Sequence, residues 1–236
     1  MRENIIRFEG YELDSNGCVR PSAIMRRMQQ CAMEDLLSYG ITDSSMRANN
    51  MAFVVSRMAL RFDKPIASGK ELRLRTSANP TRGVTFPRSF EIKEGDETVF
   101  RCYSLWALLD LEKRMILRPS ALKDEFGVSE VLCGELSCER LLRPKEQAPV
   151  YTDTRKVYAS LLDQNKHLNN CNYADIALDL LPPDVTGIRE IQIAFQHEAY
   201  LGEELLMEGW QNETGYLVSG AFAHREENCF LCQIKI

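Results

Sequence analysis

Apolar and polar positions run along the chain in two rounds of the same order. The first round opens with a strand-like stretch at 5–8. After Pro21, which suits a first helical turn, Ile24, Met25, Met28, Cys31, Ala32 and Leu36 recur at helical spacing. They predict a buried helix of about five turns ending near Gly40. A connector rich in Ser, Thr and Asn covers 41–50, and strand-like segments follow near 52–63, 70–79, 84–94 and 97–112. Gly83 and Glu94-Gly95-Asp96 supply turn chemistry between the later pairs. The second round has a strand at 150–159, a polar loop, and a helix read over 168–181 from Leu168, Ile176, Ala177, Leu180 and Leu181, stopped by Pro182-Pro183. Strands near 187–198, 203–211, 215–224 and 228–235 close it. A helix followed by an antiparallel meander, twice over, predicts an α+β fold in two domains. These are 1–127 and 150–236, joined by a connection over 128–149 where periodicity weakens and Pro144 and Pro149 bracket charged residues.

The repeat is legible in residues as well as in pattern. Leu13-Asp14-Ser-Asn16-Gly-Cys18-Val19 aligns with Leu162-Asp163-Gln-Asn165-Lys-His167-Leu168, 149 positions later. Phe62-Asp-Lys-Pro65-Ile-Ala-Ser-Gly69-Lys-Glu71-Leu72 aligns with Phe195-Gln-His-Glu198-Ala-Tyr-Leu-Gly202-Glu-Glu204-Leu205, 133 positions later. The copies differ where chemistry is expected. Cys18 stands opposite His167, and Pro65 opposite Glu198. One copy is therefore expected to do chemistry while the other keeps the scaffold.

Asp163, Asn165 and His167 are the densest group of reactive side chains. In an extended segment, period-two alternation would send all three to one side. A helix starting near 168 would add unpaired backbone N–H groups that stabilise an oxyanion. With Glu198 as a second acid, such a set can activate a water beside a polarised carbonyl without a metal or nucleotide. The sequence has no Gly-rich phosphate loop, no Gly-x-Ser-x-Gly elbow and no His-Glu-x-x-His, so no cofactor is expected.

Composition narrows the setting. The first ten residues carry charges throughout, and the longest apolar runs, such as 51–55, are too short to span a bilayer, so a cytoplasmic protein is expected. Eight scattered cysteines read as reduced thiols. Cys229-x-x-Cys232 lies in a strand-like stretch that points its two thiols to opposite faces, so no metal site is expected there. Net charge is −5, split as +3 through Glu125 and −8 beyond it. Nucleic acid is not an expected partner, whereas basic residues in the first half suit an acidic protein.

With these segments in hand, the sequence resembles the acyl-acyl carrier protein thioesterases of plants and bacteria, which are tandem hotdog proteins. Asp163-Gln-Asn165-Lys-His167-Leu-Asn169-Asn170-Cys-Asn-Tyr173 is similar to the family's Asp-x-Asn-x-His-x-Asn-Asn-x-x-Tyr signature, and Phe195-Gln-His-Glu198-Ala199 to its aromatic-Arg-Arg-Glu-Cys segment. Val54-Val55-Ser56-Arg57-Met58 and Ser104-Leu-Trp106, with Arg114 following, also resemble family segments. The resemblance implies two tandem hotdog domains, each a long helix wrapped by an antiparallel sheet. It implies hydrolysis of a fatty acyl thioester to free fatty acid and carrier thiol, with acyl carrier protein as partner, ending chain elongation. It carries over Asp163, Asn165, His167 and Glu198 as the catalytic set.

The expected chemistry is water attack with Glu198 as general base, Asn165 and His167 positioning water and carbonyl, N–H groups near Leu168 holding the oxyanion, and Asp163 orienting Asn165 and His167. Asp163 as base, or acylation of a carboxylate, stays open. Ala199 stands where plant members have Cys, so a Cys nucleophile is absent at that position. The resemblance also places the acyl chain in the first domain around its helix, where Met25, Met28, Cys31 and Met33 offer soft side chains. Arg57 and Trp106 join Met25 and Met28 as expected substrate-binding positions. Arg26, Arg27, Arg57, Arg61, Lys64, Arg114 and Lys166 are candidate cations for carrier docking. Acyl-coenzyme A hydrolysis, a hotdog dehydratase and a non-catalytic acyl-thioester binding module are the alternatives, and both a monomer and a homodimer are compatible with two domains in one chain.

Overall fold

The computed structural model describes residues 1–122 and 128–236; the last five positions of the first expected domain, 123–127, lie outside the described residues. The chain divides into two compact units, Met1–Val19 with Ala23–Cys138, and Arg20–Ser22 with Glu139–Ile236.

In the first unit, strands β1 (Arg2–Ile6), β2 (Met51–Phe62), β3 (Leu72–Ala78), β4 (Thr85–Glu94) and β5 (Glu97–Asp110) pair antiparallel in the order β1-β3-β4-β5-β2, and β6 (Met115–Leu117) pairs with the end of β5. Helix α1 (Pro21–Leu37) begins at Pro21, as the pattern predicts. Its apolar stripe is buried through Ile24, Met25, Met28, Cys31 and Ala32. Met33, expected among the soft pocket side chains, is 52 % exposed, because a position two residues beyond Cys31 turns to the opposite side of the helix. Asp35 of α1 and Arg88 of β4 are both buried and pair at 2.8 Å, with Thr76 of β3 taking a second bond from the same guanidinium nitrogen at 3.1 Å. This charge pair ties helix to sheet, and the Met1 ammonium also pairs with Asp35 at 3.4 Å, so removing Asp35 would leave the Arg88 guanidinium buried without its carboxylate.

The 41–50 connector contains a short helix, α2 (Asp43–Ala48), that apolar periodicity missed. Its signal was a reciprocal cap: Thr42 Oγ1 accepts from the Ser45 N–H, and Ser45 Oγ accepts from the Thr42 N–H, each at 3.0 Å.

In the second unit, β7 (Tyr151–Lys156), β8 (Glu190–Phe195), β9 (Glu204–Asn212), β10 (Gly215–Phe222) and β11 (Asn228–Lys235) pair antiparallel in the order β8-β11-β10-β9-β7. Its helix is shorter than the 168–181 expectation. Asn169 caps the Cys171 N–H with its side chain at 2.9 Å, a 3₁₀ turn follows over Asn170–Asn172, and α3 runs only over Tyr173–Leu178. Asn side chains compete for backbone N–H groups, so the Asn169-Asn170-Cys171-Asn172 run favours capped turns over regular helix. Tyr173 of α3 meets Phe195 and Phe230 edge-on, at 5.3 and 5.1 Å between ring centroids. Gly220 makes room for that Phe230 ring, since a Cβ there would lie 2.4 Å from it.

The expected connection is held to the fold at several points, although only Leu132 and Cys133 within it are buried. In the first unit, Ser129 N–H donates to Ala78 O, Leu132 N–H to Ser89 Oγ, and Arg75 links Glu91 and Glu130. In the second, Glu139 N–H donates to Gln192 Oε1, Trp210 Nε1 to Gln147 O, and the Arg143 guanidinium lies 5.4 Å from the Trp210 ring centre. These strap residues bond to buried side chains, Ser89 in the first unit and Gln192 and Trp210 in the second.

Candidate active site

The Asp163 loop is a closed turn rather than the extended segment expected. Asp163 N–H donates to His167 O at 2.8 Å, and Lys166 N–H to Asp163 O at 3.0 Å. Asp163 Oδ1 accepts from the N–H of Asn165 at 2.7 Å and of His167 at 3.2 Å. Lys166 completes the turn in the left-handed region, φ +64°. A carboxylate with two local N–H groups to capture bends its own backbone, which is why alternation fails here. Asn165 is exposed at the loop tip.

The turn delivers His167 to Glu198. Leu168 N–H donates to Ala199 O at 2.7 Å, and His167 and Tyr200 form an isolated antiparallel bridge. Across that junction His167 Nδ1 lies 3.6 Å from Glu198 Oε1, with both side chains about one-third exposed or less. Tyr200 donates its hydroxyl to Glu198 Oε2 at 2.9 Å, and its ring meets the imidazole edge-on at 4.8 Å. Arg225 donates to the Glu198 carbonyl oxygen at 3.2 Å and also pairs with Glu203 and Glu227.

Two expectations for this region change. The Leu168 N–H is engaged by Ala199 O and the Asn169 N–H by Leu161 O, so neither serves as an oxyanion donor. His167 also stands six residues before α3 rather than at its first turn, and the helix dipole plays no part at the imidazole.

The thiols nearby are poor nucleophiles. Cys171 is buried. Cys229, also buried, is pushed up to about 12, first by burial, and shares a 3.5 Å contact with the Tyr173 hydroxyl. Tyr173 is itself held above the ordinary phenol range, chiefly by burial and then by Cys229, with Glu198 and Asp163 adding smaller negative-charge effects. Among the described residues, no three His, Cys, Asp or Glu side chains group to hold a metal ion.

The other expected site residues lie in the first unit. Met25 and Met28 are buried on α1. Arg57 follows a bulge in β2 at Ser56, whose hydroxyl donates to Leu105 O. Trp106 of β5 donates its indole N–H to Ser104 Oγ at 2.8 Å and packs against the cluster of Ile41, Met46, Phe86 and Leu108. Tyr200, Tyr173 and Arg225 escaped the sequence-derived set. For Tyr200 the signal was present two positions beyond Glu198 in the repeat, where the first copy has Ala67.

Residues 2–126 match the family model for the acyl-ACP thioesterase N-terminal domain, and residues 146–235 the model for the acyl-ACP thioesterase C-terminal domain. Oleoyl-acyl carrier protein thioesterase 1, chloroplastic, of Arabidopsis thaliana is 22% identical over 203 residues, covering 78% of this chain and 55% of that protein. The chain thus spans about half the length of that curated relative. Among solved structures, an acyl-ACP thioesterase from Bacteroides thetaiotaomicron superposes with a TM-score of 0.89 at 20% identity, covering 99% of this chain and 96% of that one. The 12:0-ACP thioesterase from Umbellularia californica gives 0.87 at 16% identity, covering 99% and 95%. At such identities the likeness speaks for the fold, a tandem hotdog. Among the described residues no helix is long and apolar enough to cross a membrane.

Proposed function

The chain belongs to the acyl-ACP thioesterase family, and from that premise we propose that it hydrolyses the thioester of a fatty acyl chain carried on acyl carrier protein, releasing the free acid and the carrier thiol. The observation that carries the reading is the meeting of His167 and Glu198 at 3.6 Å, on a backbone both copies share, at positions where the first copy has Cys18 and Pro65. Glu198 takes a proton from water as the water oxygen adds to the thioester carbonyl carbon. Collapse of the tetrahedral intermediate breaks the C–S bond, and the proton held by Glu198 returns to the departing sulfur. Asn165 and His167 donate to the water and to the developing oxyanion. Asp163 orients the loop: its Oδ1 already accepts two backbone N–H groups, which supports a positioning role over that of the base. For the acyl chain we assign the apolar side of α1, with Met25 and Met28, and for the carrier the basic residues of the first half.

Thiol release from matched acyl-carrier and acyl-coenzyme A thioesters of graded chain length tests this. Rapid wild-type hydrolysis favouring the carrier, and lost in Glu198→Ala and His167→Ala, is expected. Faster turnover of the coenzyme A thioesters would replace the carrier as substrate, and folded protein that turns over no thioester would overturn the hydrolase reading.

A further inference from the structure

Among the differences between the paired loops of the repeat, a third accompanies the imidazole and the carboxylate. Cys18 faces His167, Pro65 faces Glu198, and at the same 133-residue offset Ala67 faces Tyr200. Backbone geometry around the third position is shared. Val19 N–H donates to Ile66 O at 3.0 Å in the first unit, as Leu168 N–H does to Ala199 O at 2.7 Å in the second. Gly69 and Gly202 close the following turn at φ +82° and +83°. The phenol is therefore an addition to a common frame, made on the side where the imidazole and carboxylate also appear.

Its contacts bracket that pair. The Tyr200 hydroxyl holds Glu198 Oε2 at 2.9 Å, leaving Oε1 towards His167 Nδ1 at 3.6 Å, while its ring edge packs on the imidazole at 4.8 Å and 85°. The tyrosine is itself fixed: its N–H donates to Glu203 Oε2 at 2.8 Å, and its carbonyl accepts from Glu203 N–H at 3.2 Å. A carboxylate with one oxygen tethered to a rigid donor loses rotational freedom, so its second oxygen keeps one direction.

We propose that Tyr200 is a positioning residue for the hydrolysis inferred above: its hydroxyl holds Glu198 in the rotamer that faces His167, and its ring sets the plane of the imidazole. The inference rests on the hydrolase reading for its consequence in turnover, but the tether itself is a property of the folded chain.

Tyr200→Phe keeps the ring and removes the tether. Tyr200 is 40 % exposed, so the change opens no buried cavity and thermal stability is expected to stay near wild type. Turnover should fall about tenfold in kcat with KM unchanged, the size expected for one hydrogen bond that matters only in the transition state. In a Glu198→Gln background the same substitution should have almost no further effect on the residual rate, because the hydroxyl acts through the carboxylate. A second readout needs no turnover. The groups facing Glu198 include His167 from the Asp163 loop, Tyr173 from α3, Tyr200 from its own segment and Arg225 at its carbonyl, and of these only Tyr200 is altered. In ¹³C-carboxyl spectra, with the signal assigned by Glu198→Gln, Glu198 should titrate at higher pH in Tyr200→Phe, since the lost bond favoured the charged form. Unchanged kcat with an unchanged titration would overturn the proposal, as would a full loss that persists without Glu198. A wild type inactive on every thioester would instead overturn the hydrolase reading, and the titration would still decide whether the hydroxyl holds the carboxylate.

Discussion

In the first unit Asp14 Oδ1 takes the N–H groups of Asn16 and Cys18, at 2.8 and 2.9 Å; in the second Asp163 Oδ1 takes those of Asn165 and His167. Each aspartate also donates its own N–H to the carbonyl four residues on, at 2.8 Å in both. The two loops thus share one backbone and differ in what hangs from it. The difference separates building from the proposed chemistry: an acid present in both copies shapes the turn, whereas the imidazole, carboxylate and phenol present in one copy are the groups to which the proposed reaction is assigned.

The sharpest way to break this division is to remove the unshared groups. His167→Ala and Glu198→Ala should each lower kcat/KM by about 10²–10⁴-fold with little change in melting temperature, the usual range for lost acid–base assistance. Cys18→Ala and Pro65→Ala should leave steady-state rates untouched, and a large loss from either would assign chemistry to the wrong loop. Next come the shared acids. Asp163→Ala and Asp14→Ala should each cost about 1–2 kcal/mol in denaturant melts, as lost caps do, yet only the former should also slow turnover. Equal kinetic loss from both would make the loops functionally alike. A smaller effect is expected where the copies differ in backbone cost. Lys166 adopts φ +64°, where the first copy has Gly17 at +77°, so Lys166→Gly should gain up to about 1 kcal/mol, read as a modest rise in melting temperature. Smallest of all, Cys229→Ala should keep turnover within about twofold, because a thiol held as far up as about 12 supplies no thiolate near neutral pH. Inactivation on that change would point to sulfur chemistry.

Much of this comparison was legible before any coordinates. Aligned residues revealed the repeat, and the departures at His167 and Glu198 marked the second copy. The shape of the loop was not legible, because period-two reasoning treats side chains as passive, whereas Asp163 turns back on its own N–H groups. The second helix was read too long for a related reason: Leu168, Leu180 and Leu181 continue the apolar count, but Leu168 is bonded to Ala199 O, and the chain beyond Leu178 runs on as turns, with Leu181 N–H on Leu178 O. Tyr200 was not legible, because only the folded turn brings its hydroxyl onto Glu198. The connection looked like a linker because Pro and charge weaken periodicity, although Leu132 and Cys133 within it are buried.

That connection bears on how the molecule can be cut. Dissected at Cys138, each fragment carries away its own covering: the first keeps Leu132 on Ser89, the second keeps Gln147 on the indole of Trp210. Trimmed instead to 1–127 and 150–236, both would lose it and present bare sheet, Trp210 included, to solvent. The modules of this chain are thus defined by what coats them as much as by the strands they contain.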